Sequence, residues 1–317
     1  MTKNYYFSLM TVVMMAFVSV GFAACNSSDG DDNGGSSLDK PKYEDESALY
    51  KITESGSDYK SIEFTASGNY LITKKYYAKA PNRILAVSKT RFGFLNGAIG
   101  VTRSSGSYGN IIYGTYTKNG DTYVLDGFGT IVVNGGGSSA VSLYITTNDG
   151  NKITLGAQQE QQYSSSEMTN KLCRTWNLNQ VRIEVTTDGQ SVLNKTFNGW
   201  ADYLIGMAEA DGDPMNEAEK KEVQDHDPKQ VIFTKSGTYV VYYANQSLAV
   251  STWKWINESK GEARYSWDYE SIDSEYKSNR INIAFEGSRM ILSESDETTY
   301  NGSKSVMTLF YYLIEAK

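Results

Sequence analysis

From about residue 60 onward the chain is dominated by short apolar runs separated by turns. Residues 62–72 read IEFTASGNYLI, and residues 231–241 read VIFTKSGTYVV, with Phe, Thr, Ser, Gly and Tyr at matching places. Each phrase predicts a β-hairpin closed by a Ser-Gly turn. Its return at a similar stage of the second half predicts an internal duplication. In the first half, 111–117 meets 122–126 across Asn119-Gly120, and 141–147 meets 152–157 across Asp149-Gly150. Asn-Gly and Asp-Gly accept the positive φ angles of tight hairpin turns. Gly135, Gly136 and Gly137 mark a further break, and the apolar but glycine-rich 92–101 (FGFLNGAIGV) reads as irregular strand and loop.

The second half opens with a helical turn near 167–172. Strands at 176–185 and 192–197 then flank Asp188-Gly189. Residues 201–210 (ADYLIGMAEA) and 217–224 (EAEKKEVQ) change to a helical period, with Gly-Asp-Pro between them. The β pattern resumes at Val231 and runs to 306–314 (VMTLFYYLI). The polar stretch 158–166 (QQEQQYSSS) is the natural boundary. The expected fold class is all-β and mainly antiparallel, as two tandem β-barrel or β-sandwich domains at 43–160 and 166–317. The second carries a small helical insert. Many tyrosines (24), many glycines (28) and few prolines (4) fit that reading.

The N-terminus is different. Lys3 precedes a mostly apolar run over 7–22, shorter than the roughly 20 residues a membrane span needs. A basic start, a short apolar core and small residues before a cut describe a secretory signal peptide, here residues 1–24. Ala23, Ala24 and Cys25 resemble the lipobox of bacterial lipoproteins. That resemblance implies a lipidated Cys25 as the first mature residue, and so a membrane partner. Acyl chains contribute about 0.8 kcal/mol per buried CH₂. Residues 25–42 then form a flexible acidic tether with a reach of roughly 20 Å. Asp29, Asp31 and Asp32 follow Ser27 and Ser28, which resembles the acidic export signal of surface lipoproteins in Bacteroidetes-type bacteria. The implied location is the outer membrane, at the cell surface, with a periplasm-facing anchor as the alternative.

Charge narrows the partners. With 30 basic and 37 acidic side chains, the net charge is −7, which argues against a nucleic-acid partner. Only two cysteines occur, so with Cys25 lipidated Cys173 has no disulfide partner and reads as a small buried hydrophobe.

A short helical lead, then Leu172 and Trp176 opening a long strand, resembles the start of lipocalin-like domains in Bacteroidetes lipoproteins. The later succession FTKSGTYVV, STWKW at 251–255, INI at 281–283, MIL at 290–292 and MTLFYYL agrees. The resemblance covers 168–316 and implies an antiparallel barrel, closed or partly open, that holds a small ligand. It departs at Arg174, where the lipocalin motif places glycine two residues before tryptophan.

Aromatic residues are the strongest candidate chemistry. Trp253 and Trp255 alternate on one strand; Tyr265, Trp267 and Tyr269 alternate on the next. A turn at 257–262 that sets Trp255 opposite Tyr265 and Trp253 opposite Trp267 predicts an aromatic ladder. It is either the core of the second domain or a binding surface for an apolar or carbohydrate ligand. Acidic side chains crowd 209–227 without the EF-hand spacing, so a solvated helical insert is expected rather than a metal site. His226 is the only histidine, and no Gly-x-Ser-x-Gly elbow, P-loop or dinucleotide fingerprint occurs, so neither catalysis nor a cofactor is expected. The expected role is an anchored binding protein for a small apolar or carbohydrate ligand. The alternatives are a structural or interaction subunit of an envelope complex and, behind it, a carboxylate-based enzyme acting on glycans.

Overall fold

The structure, a computed structural model, describes residues 38–75, 94, 95, 111–135, 139–163, 165–266 and 279–316. The expected signal peptide, Cys25 and most of the expected tether lie outside the described residues, as do Trp267 and Tyr269.

The first half is a closed eight-stranded antiparallel barrel, not a sandwich. Its strands are β1 (Ala48–Ile52), β2 (Tyr59–Phe64), β3 (Asn69–Lys74), β4 (Ile111–Asn119), β5 (Thr122–Leu125), β6 (Gly129–Asn134), β7 (Ala140–Thr147) and β8 (Lys152–Gln159). Each strand pairs with the next, and β8 returns to β1 through Tyr50–Gln159 and Ile52–Ala157. Period-two alternation places Leu143 and Ile145 of β7 inside and exposes Tyr144 between them. Eight strands leave an interior just wide enough to be filled by side chains. Phe64, Tyr116 and Tyr123 fill it, with the Phe64 and Tyr123 rings stacked at 3.9 Å.

The second half begins with α1 (Glu167–Leu172), capped by the Ser166 side chain accepting from the Thr169 N–H. Then come β9 (Thr175–Thr187), β10 (Gln190–Phe197), α2 (Trp200–Ala210) and α3 (Glu217–Asp225). The remaining strands are β11 (Pro228–Phe233), β12 (Thr238–Tyr243), β13 (Leu248–Asn257), β14 (Glu262–Ser266), β15 (Asn279–Glu286), β16 (Arg289–Tyr300) and β17 (Ser303–Glu315). The long β9 does two things at once. Its start pairs with β11 and its end with β10, on the same edge. Its other edge pairs with β17 from Trp176 to Thr187, closing a second eight-stranded barrel with β10 as an outlying ninth strand. The β9–β10 turn is Asp188-Gly189, at φ 50° and 80°, the left-handed pair that such a hairpin needs.

The helical insert sits where the β pattern lapses. The capping box of Asn216 and Glu219 starts α3. Asp227 accepts from the Ala201 N–H at 2.9 Å and so holds the start of α2. Trp200, Tyr203 and Met207 of α2 are buried in the second barrel's core cluster.

The repeated phrase has the same geometry in both barrels. The Thr65 N–H donates to the Asn69 carbonyl, as the Thr234 N–H does to Thr238. Gly68 and Gly237 both take positive φ. Phe64 and Tyr70 point into one barrel, Phe233 and Tyr239 into the other. The opposite faces of these hairpins meet. Leu71 and Ile111 of the first barrel pack against Ile232, Val240 and Leu248 of the second. Polar links surround that patch: the Thr175 N–H donates to the Ser67 hydroxyl at 2.9 Å, and Lys235 pairs with Glu44 at 3.2 Å. Burial on both faces goes with consecutive apolar residues in the strands themselves, 231–233 and 239–241 in the second barrel and 70–72 in the first, while Glu63 interrupts the run in β2.

Candidate binding site in the second barrel

The lumen of the second barrel is lined by alternate residues of its strands. Phe233 comes from β11, Tyr239 from β12, Tyr265 from β14 and Tyr311 from β17; all are fully buried. One inward position breaks the apolar pattern. In β16, Met290, Leu292 and Glu294 alternate inward, and Glu294 is 3% exposed. Tyr311 donates its hydroxyl to Glu294 Oε1 at 2.8 Å, and Tyr265 donates to Oε2. Asn279 Nδ2 donates in turn to the Tyr265 oxygen at 3.2 Å. Burial, reinforced by the Glu294 charge, pushes both phenols well above their ordinary pKa, so they stay protonated as donors.

The lumen also holds a residue from the other half of the chain. Phe94, which lies between β3 and β4 in sequence, is 0% exposed and sits among these rings. Its ring stacks on Tyr239 at 5.2 Å and Phe233 at 5.9 Å, and meets Tyr265 edge-on at 5.2 Å. The Phe94 N–H donates to Glu294 Oε1 at 3.2 Å. The next residue, Leu95, is also buried, and its carbonyl accepts from the Tyr243 hydroxyl at 2.9 Å.

Of the sequence-predicted site residues, Trp253 and Tyr265 lie in this core cluster, and Trp255 packs against it partly buried. The predicted ladder register is corrected. Trp253 pairs with Tyr265 and Trp255 with Ala263. The cause lies at the turn: a 3₁₀ turn at Glu258–Lys260 ends on Gly261 at φ 68°, and Asn257 already pairs with Glu262. The tight turn moves the register by one residue and the irregularity between Trp255 and Asn257 moves it by another, so the ladder slides by two residues. Trp253 Nε1 donates to the Thr234 carbonyl at 3.1 Å, and its indole meets Trp255 edge-on at 5.3 Å. Trp255 Nε1 donates to the Thr169 hydroxyl at 2.9 Å, which ties α1 to the hairpin. Glu258 completes that tie by accepting from Thr169 at 2.6 Å and from Ser166.

Sequence reasoning did not single out Glu294, although its signal was present: it continues the alternation of Met290 and Leu292 onto the same face. Phe94 carried no such signal, because its partners are remote in the chain.

The other candidates are ordinary structural groups. Lys220 pairs with Glu217 and Lys221 with Asp225 along α3. Among the described residues no group of His, Cys, Asp and Glu is placed to hold a metal ion. His226 Nδ1 lies 2.9 Å from the Glu222 carbonyl at the end of α3. Cys173 is buried and its thiol is pushed far up by burial, which makes it inert.

No family model matches this chain, and no curated protein matches it. Among solved structures, one likeness is to a crystal structure of a protein of unknown function from the DUF3598 family of Nostoc punctiforme. It has 8% identity, covers 84% of this chain and 93% of that one, and has a TM-score of 0.12. A likeness that slight assigns neither fold nor role.

Proposed function

We propose that this chain is a lipoprotein, anchored by a lipidated Cys25 in an outer membrane and facing the cell surface, whose second barrel binds a small apolar ligand without catalysing a reaction. The observation that supports binding is the aromatic lumen converging on Glu294. A buried carboxylate in an apolar interior is costly, and a core built only for stability has no need of it. Apolar ligands suit this lumen better than sugars, because Trp253 and Tyr265 are buried and do not form an open platform.

Anchoring is tested by feeding an alkyne-bearing fatty acid to a diderm bacterium that expresses the full chain. The expected result is label on the protein and its recovery in the membrane fraction, both lost in Cys25→Ala. Label that survives the substitution refutes the anchor. Binding is tested by native mass spectrometry of the full chain after exposure to an envelope extract. An adduct of a few hundred daltons supports the reading. A bare mass under every load favours the second reading, an interaction subunit, which is in keeping with a lumen already packed by the chain's own side chains.

A further inference from the structure

We infer that the second barrel's lumen is a receptor for an aromatic side chain presented on peptide main chain, and that Phe94-Leu95 is its built-in occupant. The inference rests on the binding reading above and names the ligand class, an aromatic amide or peptide. The polar contacts carry it further than the packing does. A ring that merely fills a core needs only apolar neighbours. Here barrel side chains grip the main chain on both sides of the ring: Glu294 accepts from the Phe94 N–H, and Tyr243 donates to the Leu95 carbonyl. The aromatic walls sort by geometry as a ring receptor would, with Phe233 and Tyr239 stacked on Phe94 and Tyr265 at 81° to it.

The first barrel serves as an internal control. It has the same strand order, and its lumen is filled by residues of its own strands such as Phe64 and Tyr123. Along β4–β8 no charged side chain is buried among the described residues. The first barrel's one buried carboxyl among the described residues, Glu63 of β2, faces outward to the Thr234, Ser236 and Thr238 hydroxyls of the second barrel, so a carboxylate inside the lumen goes with the barrel that receives a guest. Glu294 also cannot be exchanged for a hydrophobe without stranding the Tyr265 and Tyr311 hydroxyls and the Phe94 N–H.

An occupant on the same chain competes at an effective concentration in the millimolar range. An external ligand therefore meets a site that is mostly taken, and its apparent affinity falls by the fraction of sites left free. Removing the Phe94 ring should reveal the intrinsic affinity.

The test uses the full chain and two probes, N-acetyl-phenylalanyl-leucine amide and naphthalene, followed by calorimetry. Phe94→Ala should bind the dipeptide amide at least about tenfold more tightly than the wild type. Adding Glu294→Gln to that variant should weaken the dipeptide by about tenfold or more while leaving naphthalene unchanged, because a hydrogen bond to a charged group is lost. If Phe94→Ala takes up naphthalene but not the dipeptide, the peptide-type receptor is overturned and the apolar-ligand reading stands. If it takes up neither, both fall. Should Phe94→Ala not fold, hydrogen exchange on the wild type decides. Saturating dipeptide should deprotect the Phe94 and Leu95 amides while β14 to β17 stay protected, and unchanged protection overturns the inference.

Discussion

Glu63 is a buried carboxyl in β2, on the face that meets the second barrel. Its counterpart in the repeated phrase is Ile232, so the first barrel carries an ionisable group where the second presents an apolar side chain. Burial pushes its pKa up to about 7, although the hydroxyls of Thr234, Thr238 and Ser236 pull the other way. The unfolded chain releases that proton near pH 4.5, while the folded chain holds it until about pH 7. Stability linked to this proton is therefore fully present below pH 4.5, and it is lost as pH rises through 7. Glu63→Gln imitates the protonated form. It should match the wild type at pH 4 and exceed it by on the order of 3 kcal/mol at pH 8 in urea unfolding. Equal pH slopes for the two proteins would refute this account.

At the scale of elements, turns decide which residues face each other. Gly261 ends the 3₁₀ turn between β13 and β14 at φ 68°, and a Cβ there would lie 2.0 Å from the Ile283 carbonyl oxygen. Gly120, in the β4–β5 turn at φ 57°, has open space around it. Both alanine substitutions meet left-handed backbone strain, but only one meets the neighbouring strand. Gly120→Ala should cost about 1 kcal/mol, and Gly261→Ala more than about 2 kcal/mol. Urea midpoints at constant slope measure both. A near-equal loss would mean that the close approach to β15 is not what sets the Trp253–Tyr265 register. The hairpin turns at Asn119-Gly120, Asp149-Gly150 and Asp188-Gly189 were legible because local chemistry determines them. The register of β13 on β14 was not, because it is set jointly by the 3₁₀ turn at Glu258–Lys260 and a bulge after Trp255, whose combined shift no local signal encodes.

For the whole molecule, the two barrels share an apolar interface around Leu71, Ile232 and Val240, and Tyr113 packs on Tyr242 with ring centres 6.1 Å apart. Phe94 adds a second connection by crossing into the other barrel. Domains joined through a buried apolar contact and an inserted side chain are expected to unfold together. Calorimetry of the wild type should show one transition, and Leu71→Asp, which buries a charge at the contact, should split it or lower it by at least about 2 kcal/mol. Two separate transitions in the wild type would show that the interface does not couple the barrels.

Period-two alternation, turn chemistry and the recurring hairpin phrase were sufficient to specify an antiparallel β chain in two halves with helices at the insert, because each of these depends on neighbours in sequence. Three things came only from the tertiary structure: closure of each sheet into a barrel, the Trp253–Tyr265 pairing, and the meeting of Phe94 with Glu294. Closure depends on the last strand of each half finding the first, and Phe94 lies some 200 positions from Glu294 in sequence. Contacts of that range are set by how the whole chain packs, so local pattern carries no record of them.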